Sequence, residues 1–250
     1  MNSGFKVFIP ARYASTRLKG KLLLEIAGKP LIQHVYESAA GSAAEEVIIA
    51  TDDERIMEAV TSYGGIAVMT DPGHKSGTDR IAEAVKLLEI PDETIIVNVQ
   101  GDIYGCHSAI IDQLARILQN RTEIPMATLC EKMSTRDALV NPNLVKVVIN
   151  KHNHAVYFSR SPIPWSNPDM ATFPCTPYLH VGIYAYRVEF LQNYAALPQC
   201  PLEESEKLEQ LRALYHGYSI YVQEACGQVG IGVDTAEDLE KARRMAETTV

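Results

Sequence analysis

Arg12, Arg17, Lys19 and Lys21 crowd one short polar stretch, with Ser15, Thr16 and Gly20 between them. The stretch follows the apolar run Val7–Ile9, which Pro10 is expected to stop. Cations, hydroxyls and backbone N–H groups at the end of a strand are the parts needed to hold a polyphosphate. The spacing matches neither G-x-x-x-x-G-K-[ST] nor G-x-G-x-x-G, and on composition alone it reads first as a solvated turn. Carboxylates supply a second part of the chemistry. Asp102 follows the strand-like run Thr94–Val99, and Asp234 follows Val229–Val233. Carboxylates at two strand ends suit a magnesium ion (Mg²⁺), which takes one or two carboxylates plus substrate phosphates. Taken singly, Asp102 terminates a strand and Asp234 caps the last helix. As a pair beside a cationic loop, they read as a metal site for a nucleotide.

His74, Lys75, Ser76, Gly77, Thr78 and Arg80 form a small-residue loop where a base could lie against backbone, or an ordinary turn. Arg160, His180, Tyr184, Glu209 and Gln210 are polar groups on otherwise apolar elements. Each alone reads as a satisfied structural group; together they could line a polyol pocket in which an Arg meets a carboxylate. No Ser/His/Asp or Cys/His arrangement declares itself, so covalent catalysis has little support.

The elements that must position these groups alternate in type. Leu31, Ile32, His34, Val35 and Ala39 fall at helical spacing after Pro30. Glu46–Thr51 reads as a buried strand, Glu54–Ser62 as a helix, Ala67–Met69 as a strand and Ile81–Leu88 as an amphipathic helix. This cadence predicts an α/β fold of parallel βαβ units, a mostly parallel Rossmann-like sheet. Ligand groups then sit at the carboxyl ends of strands, so the loops Pro10–Lys21, Asp71–Arg80 and Gln100–Asp102 should converge on one crevice. Beyond about residue 125 the strands lengthen: Met126–Cys130, Val145–Ile149, Ala155–Phe158 and Val181–Tyr186. Pro162, Pro164, Pro168, Pro174 and Pro177 mark a long irregular loop around Trp165, of the kind that serves as a lid, a binding loop or a partner contact. Leu202–His216 reads as one helix stopped by Gly217, and Asp234–Met245 as the last. With no repeat or linker, residues 1–250 are expected to form one continuous domain.

The bulk chemistry narrows the partners. A chain of 250 residues with 46% hydrophobic and 22% charged residues suits one large soluble domain. A net charge of −8 argues against nucleic acid and favours a small anion at the basic loop. The five cysteines have no C-x-x-C spacing, which argues against zinc or a disulfide framework and for a reducing compartment. Neither a signal peptide nor an apolar run near ~20 residues is present, so a cytoplasmic protein without membrane contact is expected.

A set of ordered segments then resembles a known family. FIPARYASTRLKGKL (Phe8–Leu22), SGTDR (Ser76–Arg80), VNVQGD (Val97–Asp102), YFSRSPIPW (Tyr157–Trp165), HVGIY (His180–Tyr184), LEQLR (Leu208–Arg212) and GVDTAED (Gly232–Asp238) are similar to the 3-deoxy-manno-octulosonate (Kdo) cytidylyltransferases, or CMP-Kdo synthetases. The resemblance runs nearly end to end. It implies a nucleotide-diphospho-sugar transferase type of fold with helices on both faces and a smaller strand-rich lobe. Residues up to about 125 would form the nucleotide-binding half, and about 126–250 the sugar-binding and dimerisation half of a cytoplasmic homodimer. It implies that CTP, Mg²⁺ and a 3-deoxy-octulosonic acid react to a CMP-sugar and pyrophosphate for lipopolysaccharide biosynthesis. By motif, Arg12 and Lys21 would hold the CTP phosphates with Arg17 beside them, and Ser76 would face the cytidine. Asp102 and Asp234 would bind the metal. Gln100 would serve nucleotide and sugar, and Arg160, His180, Tyr184 and Glu209 the sugar. The chemistry is consistent: an anomeric hydroxyl attacks the α-phosphorus and pyrophosphate leaves in line, which calls for placed cations rather than a covalent nucleophile.

Two departures stand out. The family reads QGDEP where this chain has Gln100-Gly101-Asp102-Ile103-Tyr104-Gly105, and RLPGKPL where it has Arg17-Leu18-Lys19-Gly20-Lys21-Leu22-Leu23. Both keep their length, so the expectation is an intact but reshaped site, with the branch using 8-amino-3,8-dideoxy-manno-octulosonate as leading substrate. The alternatives are plain Kdo, another sugar nucleotidyltransferase acting on a sialic-type acid or sugar phosphate, and a silent nucleotide-binding homologue. Retention of Arg12, Lys21, Asp102 and Asp234 argues against the last.

Overall fold

Alternate residues of the first strand, β1 (Phe5–Ala11), enter different apolar cores: Phe5, Val7 and Ile9 one, Phe8 the other. A strand buried on both faces needs cover on both, which βαβ crossovers provide. The computed structural model describes residues 4–15, 17–167 and 175–248. Thr16 of the cationic loop, and Pro168 and Pro174 of the proline-rich loop, lie outside the described residues.

After β1 come a small ribbon, β2 (Glu25–Ile26) and β3 (Lys29–Pro30), then α1 (Leu31–Ala40), β4 (Glu46–Thr51), α2 (Glu54–Ser62), β5 (Ile66–Met69), α3 (Gly77–Leu87) and β6 (Ile95–Asn98). Strands β5, β4, β1 and β6 lie side by side and parallel. Leu31, Ile32 and Val35 of α1 fill the core on one face, and Ile81, Ala84 and Val85 of α3 the core on the other. The sheet continues after β7 (Ile103–Tyr104) and α4 (Ser108–Asn120) into β8 (Met126–Lys132), α5 (Arg136–Val140), β9 (Lys146–Ile149), β10 (Ala155–Ser159) and the long β11 (Tyr178–Arg187). There β11 runs antiparallel to β6, β8 and β9, giving a smaller antiparallel lobe on a sheet of nine strands among the described residues. The chain closes with α6 (Val188–Ala195), α7 (Pro201–Glu206), α8 (Gln210–Tyr215), β12 (Ile220–Glu224), β13 (Ile231–Gly232) and α9 (Ala236–Glu247).

Several boundaries differ from expectation, and four have a local reason that the structure shows. Pro10 does not stop β1, which runs on to Ala11. The Phe8 carbonyl accepts Val99 N on the β6 side, so Pro10, two residues on, faces the same side, where β6 pairing has ended. Its missing N–H therefore costs no ladder bond. Helix α3 begins at Gly77 rather than Ile81, because Ser76 Oγ accepts Asp79 N at 3.0 Å and caps it. The stretch Leu202–His216 is not one helix: Lys207 adopts φ 56°, ending α7, and α8 restarts at Gln210. Finally, α9 starts at Ala236 with Thr235 as its cap, reciprocated by Asp238 in a capping box, so Asp234 is not the cap.

Candidate active site

The loops after β1, β5 and β6 do converge, opening onto one cleft of about 530 Å³. It divides into a charged, partly exposed end and a buried, largely uncharged end.

The charged end is built by the cationic loop turning back on itself. Gly20 takes φ 66° and donates its N–H to the Tyr13 carbonyl at 3.2 Å. A Cβ there would meet the Tyr13 ring at 2.9 Å, so the position needs glycine for conformation and for space. The Arg55 guanidinium lies 3.3 Å from the centroid of that ring and is itself tied by two bonds to Asp53, which pins the loop. Lys21 follows in a single 3-10 turn, Lys21–Leu23. Its ammonium sits between the predicted metal carboxylates, 2.5 Å from Asp102 Oδ2 and 2.9 Å from Asp234 Oδ1. Arg17 reaches the same Asp234 oxygen at 2.9 Å. Arg12 is exposed at the cleft wall, and among the described residues no carboxylate pairs with it. Lys19, the fourth cation, is exposed away from the cleft lining.

What holds the carboxylates together is a ribbon whose one strand, β13, lies in the expected run Val229–Val233 and whose other, β7, is not among the expected elements. Strands β7 and β13 pair antiparallel, Tyr104 opposite Ile231 and Ile103 opposite Gly232, and Val233 N donates to the Asp102 carbonyl at 2.8 Å. Ile103, Tyr104 and Gly105 are spent on this ribbon; Tyr104 packs edge-on against His34 at 5.2 Å, and none of the three lines the cleft. The departure from QGDEP therefore lies outside the cleft lining. Among the described residues no group of three or more His, Cys, Asp or Glu side chains clusters as a metal cage.

At the junction of the two ends, Ser76 caps α3, and Gln100 Nε2 lies 3.4 Å from Asn98 Oδ1. The uncharged end hangs on β11. His180, Gly182 and Tyr184 share one face of that strand by its period of two, and a Cβ at Gly182 would enter open space. His180 is 9% exposed, and its Nε2 lies 3.0 Å from Thr128 Oγ1. Burial pushes its pKa down to about 3, so the ring is neutral at any working pH. Burial first, and the nearby Glu209 second, raise the Tyr184 hydroxyl well above its ordinary value. Glu209 stands at the α7–α8 break with Oε1 accepting the Thr78 hydroxyl at 2.7 Å, and burial raises its carboxyl pKa as well. Gln210 beside it is 2% exposed and lines the cleft, with Nε2 lacking a partner among the described residues. Arg160 donates Nε to the Glu206 carbonyl at 2.8 Å and a terminal nitrogen to the Pro142 carbonyl at 3.1 Å, so its guanidinium is fixed at the wall.

Every residue that the resemblance assigned to nucleotide, metal or sugar thus lines this one cleft, whereas Lys19 and Thr78 do not. Gln210, named in the sequence as one of the polar groups that together could line a pocket, is a member of the cleft wall. Sequence reasoning missed β7 and its pairing with β13, since a two-residue strand carries no periodic signal.

Comparison with known proteins agrees with the resemblance. The cytidylyltransferase family profile matches residues 7–220. The chain is 49% identical over 247 residues to the 3-deoxy-manno-octulosonate cytidylyltransferase of Hahella chejuensis, covering 96% of this chain and 97% of that one. It is 48% identical over 251 residues to the same-named protein of Nitrosococcus oceani, covering 98% and 97%. A solved CMP:2-keto-3-deoxy-manno-octonic acid synthetase complexed with CTP superimposes at a TM-score of 0.91 with 44% identity, covering 99% of this chain and 100% of that one. The 4-diphosphocytidyl-2C-methyl-D-erythritol synthase of Anaerococcus prevotii, at 12% identity and a TM-score of 0.64 over 98% and 99%, shares the fold alone. The chain therefore belongs to the 3-deoxy-manno-octulosonate cytidylyltransferase family, nucleotidyltransferases built on the nucleotide-diphospho-sugar transferase fold.

Proposed function

We propose that the protein transfers the cytidylyl group of CTP to Kdo, releasing pyrophosphate and giving CMP-Kdo for lipopolysaccharide assembly. The observation that supports this best is the cleft's own polarity: a cationic end with paired carboxylates runs straight into a buried wall of uncharged donors and acceptors bearing Arg160. Plain Kdo is favoured over the 8-amino sugar because no observation in the cleft singles out the latter, the Ile103–Gly105 change lying outside it.

In this reading Arg12, Arg17 and Lys21 meet the triphosphate, whose charge they offset as it shifts onto the leaving pyrophosphate. Ser76 and Gln100 border the nucleoside. Arg160 pairs with the sugar carboxylate. Neutral His180, with Tyr184, Glu209 and Gln210, exchanges hydrogen bonds with the hydroxyls, so the anomeric oxygen is held toward the α-phosphorus. The sugar oxygen forms a bond to that phosphorus as the bond to pyrophosphate breaks. The donor set fits Mg²⁺: Asp102 and Asp234 already converge on one cation, the Lys21 ammonium, and a hard divalent ion takes such carboxylates together with phosphate oxygens. Bound there, it would neutralise phosphate charge and acidify a coordinated hydroxyl. The resemblance also leads us to propose a cytoplasmic homodimer as the working unit, which sedimentation measures. Among the described residues no helix is long and apolar enough to cross a membrane.

The test is pyrophosphate release with CTP and Mg²⁺, run side by side on Kdo and its 8-amino analogue. The reading expects Kdo to be the better substrate. A flat response to both overturns it, and a preference for another nucleotide moves the protein to a different sugar nucleotidyltransferase.

A further inference from the structure

Lys146 has no task in the reading above, yet its placement is unusual. It opens β9 and is 0% exposed. Its ammonium donates to three main-chain carbonyls, those of Asn141 at 3.0 Å, Leu144 at 2.6 Å and Arg160. Among the described residues no carboxylate forms an ion pair with it; Glu206 acts on it only at longer range. Burial, with the neighbouring Arg160 charge, holds its pKa below the ordinary lysine value. A buried ammonium without a counter-ion is costly, and here three carbonyls offset that cost; an apolar side chain would leave those carbonyls without this donor. The charge must therefore be retained for what it holds.

What it holds is Arg160, from both ends. The Arg160 carbonyl is bonded to Lys146 directly, and the Arg160 amide to Glu206 Oε2 at 2.9 Å. The guanidinium donates to the Pro142 carbonyl, and Pro142 lies between Asn141 and Leu144, the two other carbonyls that Lys146 gathers. Lys146 thus fixes the main chain of Arg160 and the turn that receives its side chain. Across the ladder Lys146 pairs with Ser159, the residue before Arg160, and with Leu179, the residue before His180. The preceding Val145 lines the cleft, and its carbonyl accepts His180 N at 2.8 Å. One lysine therefore sits behind both Arg160 and His180.

We propose that Lys146 is a positioning residue for the sugar-acid carboxylate, fixing the Arg160 guanidinium and adding a second positive charge behind it. The inference rests on the reading that Arg160 receives that carboxylate. Steady-state kinetics of full-length Lys146→Met, Lys146→Arg, Arg160→Ala and Lys146→Met/Arg160→Ala, each checked for folding by thermal melt, separate the two. Lys146→Met is expected to raise the KM for Kdo by about 10-fold or more while moving the CTP KM by less than about 2-fold, the signature of lost positioning. Lys146→Arg should restore much of the loss, and Lys146→Met should add little on top of Arg160→Ala. If Arg160→Ala leaves the Kdo KM unchanged, the Arg160 reading falls and this inference with it. If Arg160→Ala raises it while folded Lys146→Met does not, or if both substrates weaken equally, the assignment of Lys146 alone is overturned. Should Lys146→Met not fold, Lys146→Gln, which keeps two donors, carries the same outcomes.

Discussion

The two ends of the cleft are held together by opposite means. At the phosphate end Lys21, Asp102, Asp234 and Arg17 are charged, partly exposed and matched ion against ion. At the buried end His180 is pushed down to about 3 and so is neutral, and burial pushes the Tyr184 hydroxyl and the Glu209 carboxyl up. The first end can meet a polyanion whose charge changes during reaction, because its cations are already screened by carboxylates and water. The second can distinguish hydroxyl patterns, because buried donors and acceptors left unpaired are expensive. Substitutions at the first should strike turnover, and at the second the binding of the sugar.

The sharpest way to break that contrast is Asp102→Asn. It is close to isosteric and leaves Asp102's main-chain bond to Val233 N intact, so a thermal melt should shift little. Turnover should fall by at least about 100-fold, since the variant removes negative charge where cations must gather for the transition state. Unchanged turnover would remove Asp102 from the active centre.

That end was the more legible in the sequence, and the reason is physical. Arg12, Arg17 and Lys21 are near neighbours in one loop after a strongly apolar strand, and Asp102 follows another, so local pattern and topology sufficed. The sugar end is assembled from tertiary relationships. Glu209 and Gln210 enter the cleft because Lys207 turns left-handed and breaks a stretch whose Leu208, Leu211 and Leu214 read as continuous helix. Ser76 was read as loop although it is a cap, because Gly77 is a poor advertisement for a helix start. Lys146, inside the run Val145–Ile149, carries no signal of its own in the sequence, and the fold places it fully buried. The residues alone offered Ser76, Glu209 and Gln210 as candidates, the resemblance gave roles to Ser76 and Glu209, and Lys146 came from neither.

Gly230→Ala tests whether the ribbon is what keeps the phosphate end paired. Gly230 has φ 79°, and a Cβ there would lie 2.5 Å from the Tyr104 carbonyl oxygen. The alanine should prise β13 from β7 and with it Asp234 from Asp102, lowering stability by about 1–3 kcal/mol. Mn²⁺ binding in the presence of CTP, followed by magnetic resonance, should weaken, while the KM for Kdo holds. A rise confined to the Kdo KM would show that the ribbon serves the wrong end.

A smaller effect should separate the ends by pH. Because the folded state holds His180 near 3 and an unfolded histidine titrates near 6.5, the unfolded chain binds more protons between those values. This contribution to stability is fully present above about pH 6.5 and is lost as pH falls toward about 3. Glu209, with its raised carboxyl pKa, contributes in the opposite sense, so the comparison is between parent and His180→Gln. The difference in melting temperature between them should narrow as pH falls through that window. A constant difference would mean that His180 is not held neutral.

The smallest effect is expected from the residues that set this chain apart from the QGDEP pattern. Ile103→Glu changes the ribbon, where Ile103 pairs with Gly232 and packs against the core beneath α9, not the wall of the cleft. It should cost stability through a partly buried carboxylate, by about 1–3 kcal/mol, and leave the ratio of kcat/KM for Kdo to that for the 8-amino sugar unchanged. The argument is one of reach: the ribbon joins Asp102 to Asp234 from outside the cleft, so it can alter how firmly the carboxylates are held but offers no atom to the sugar. A changed ratio would mean that sugar selection is transmitted through the carboxylate pair, and the division of labour between the two ends would have to be redrawn.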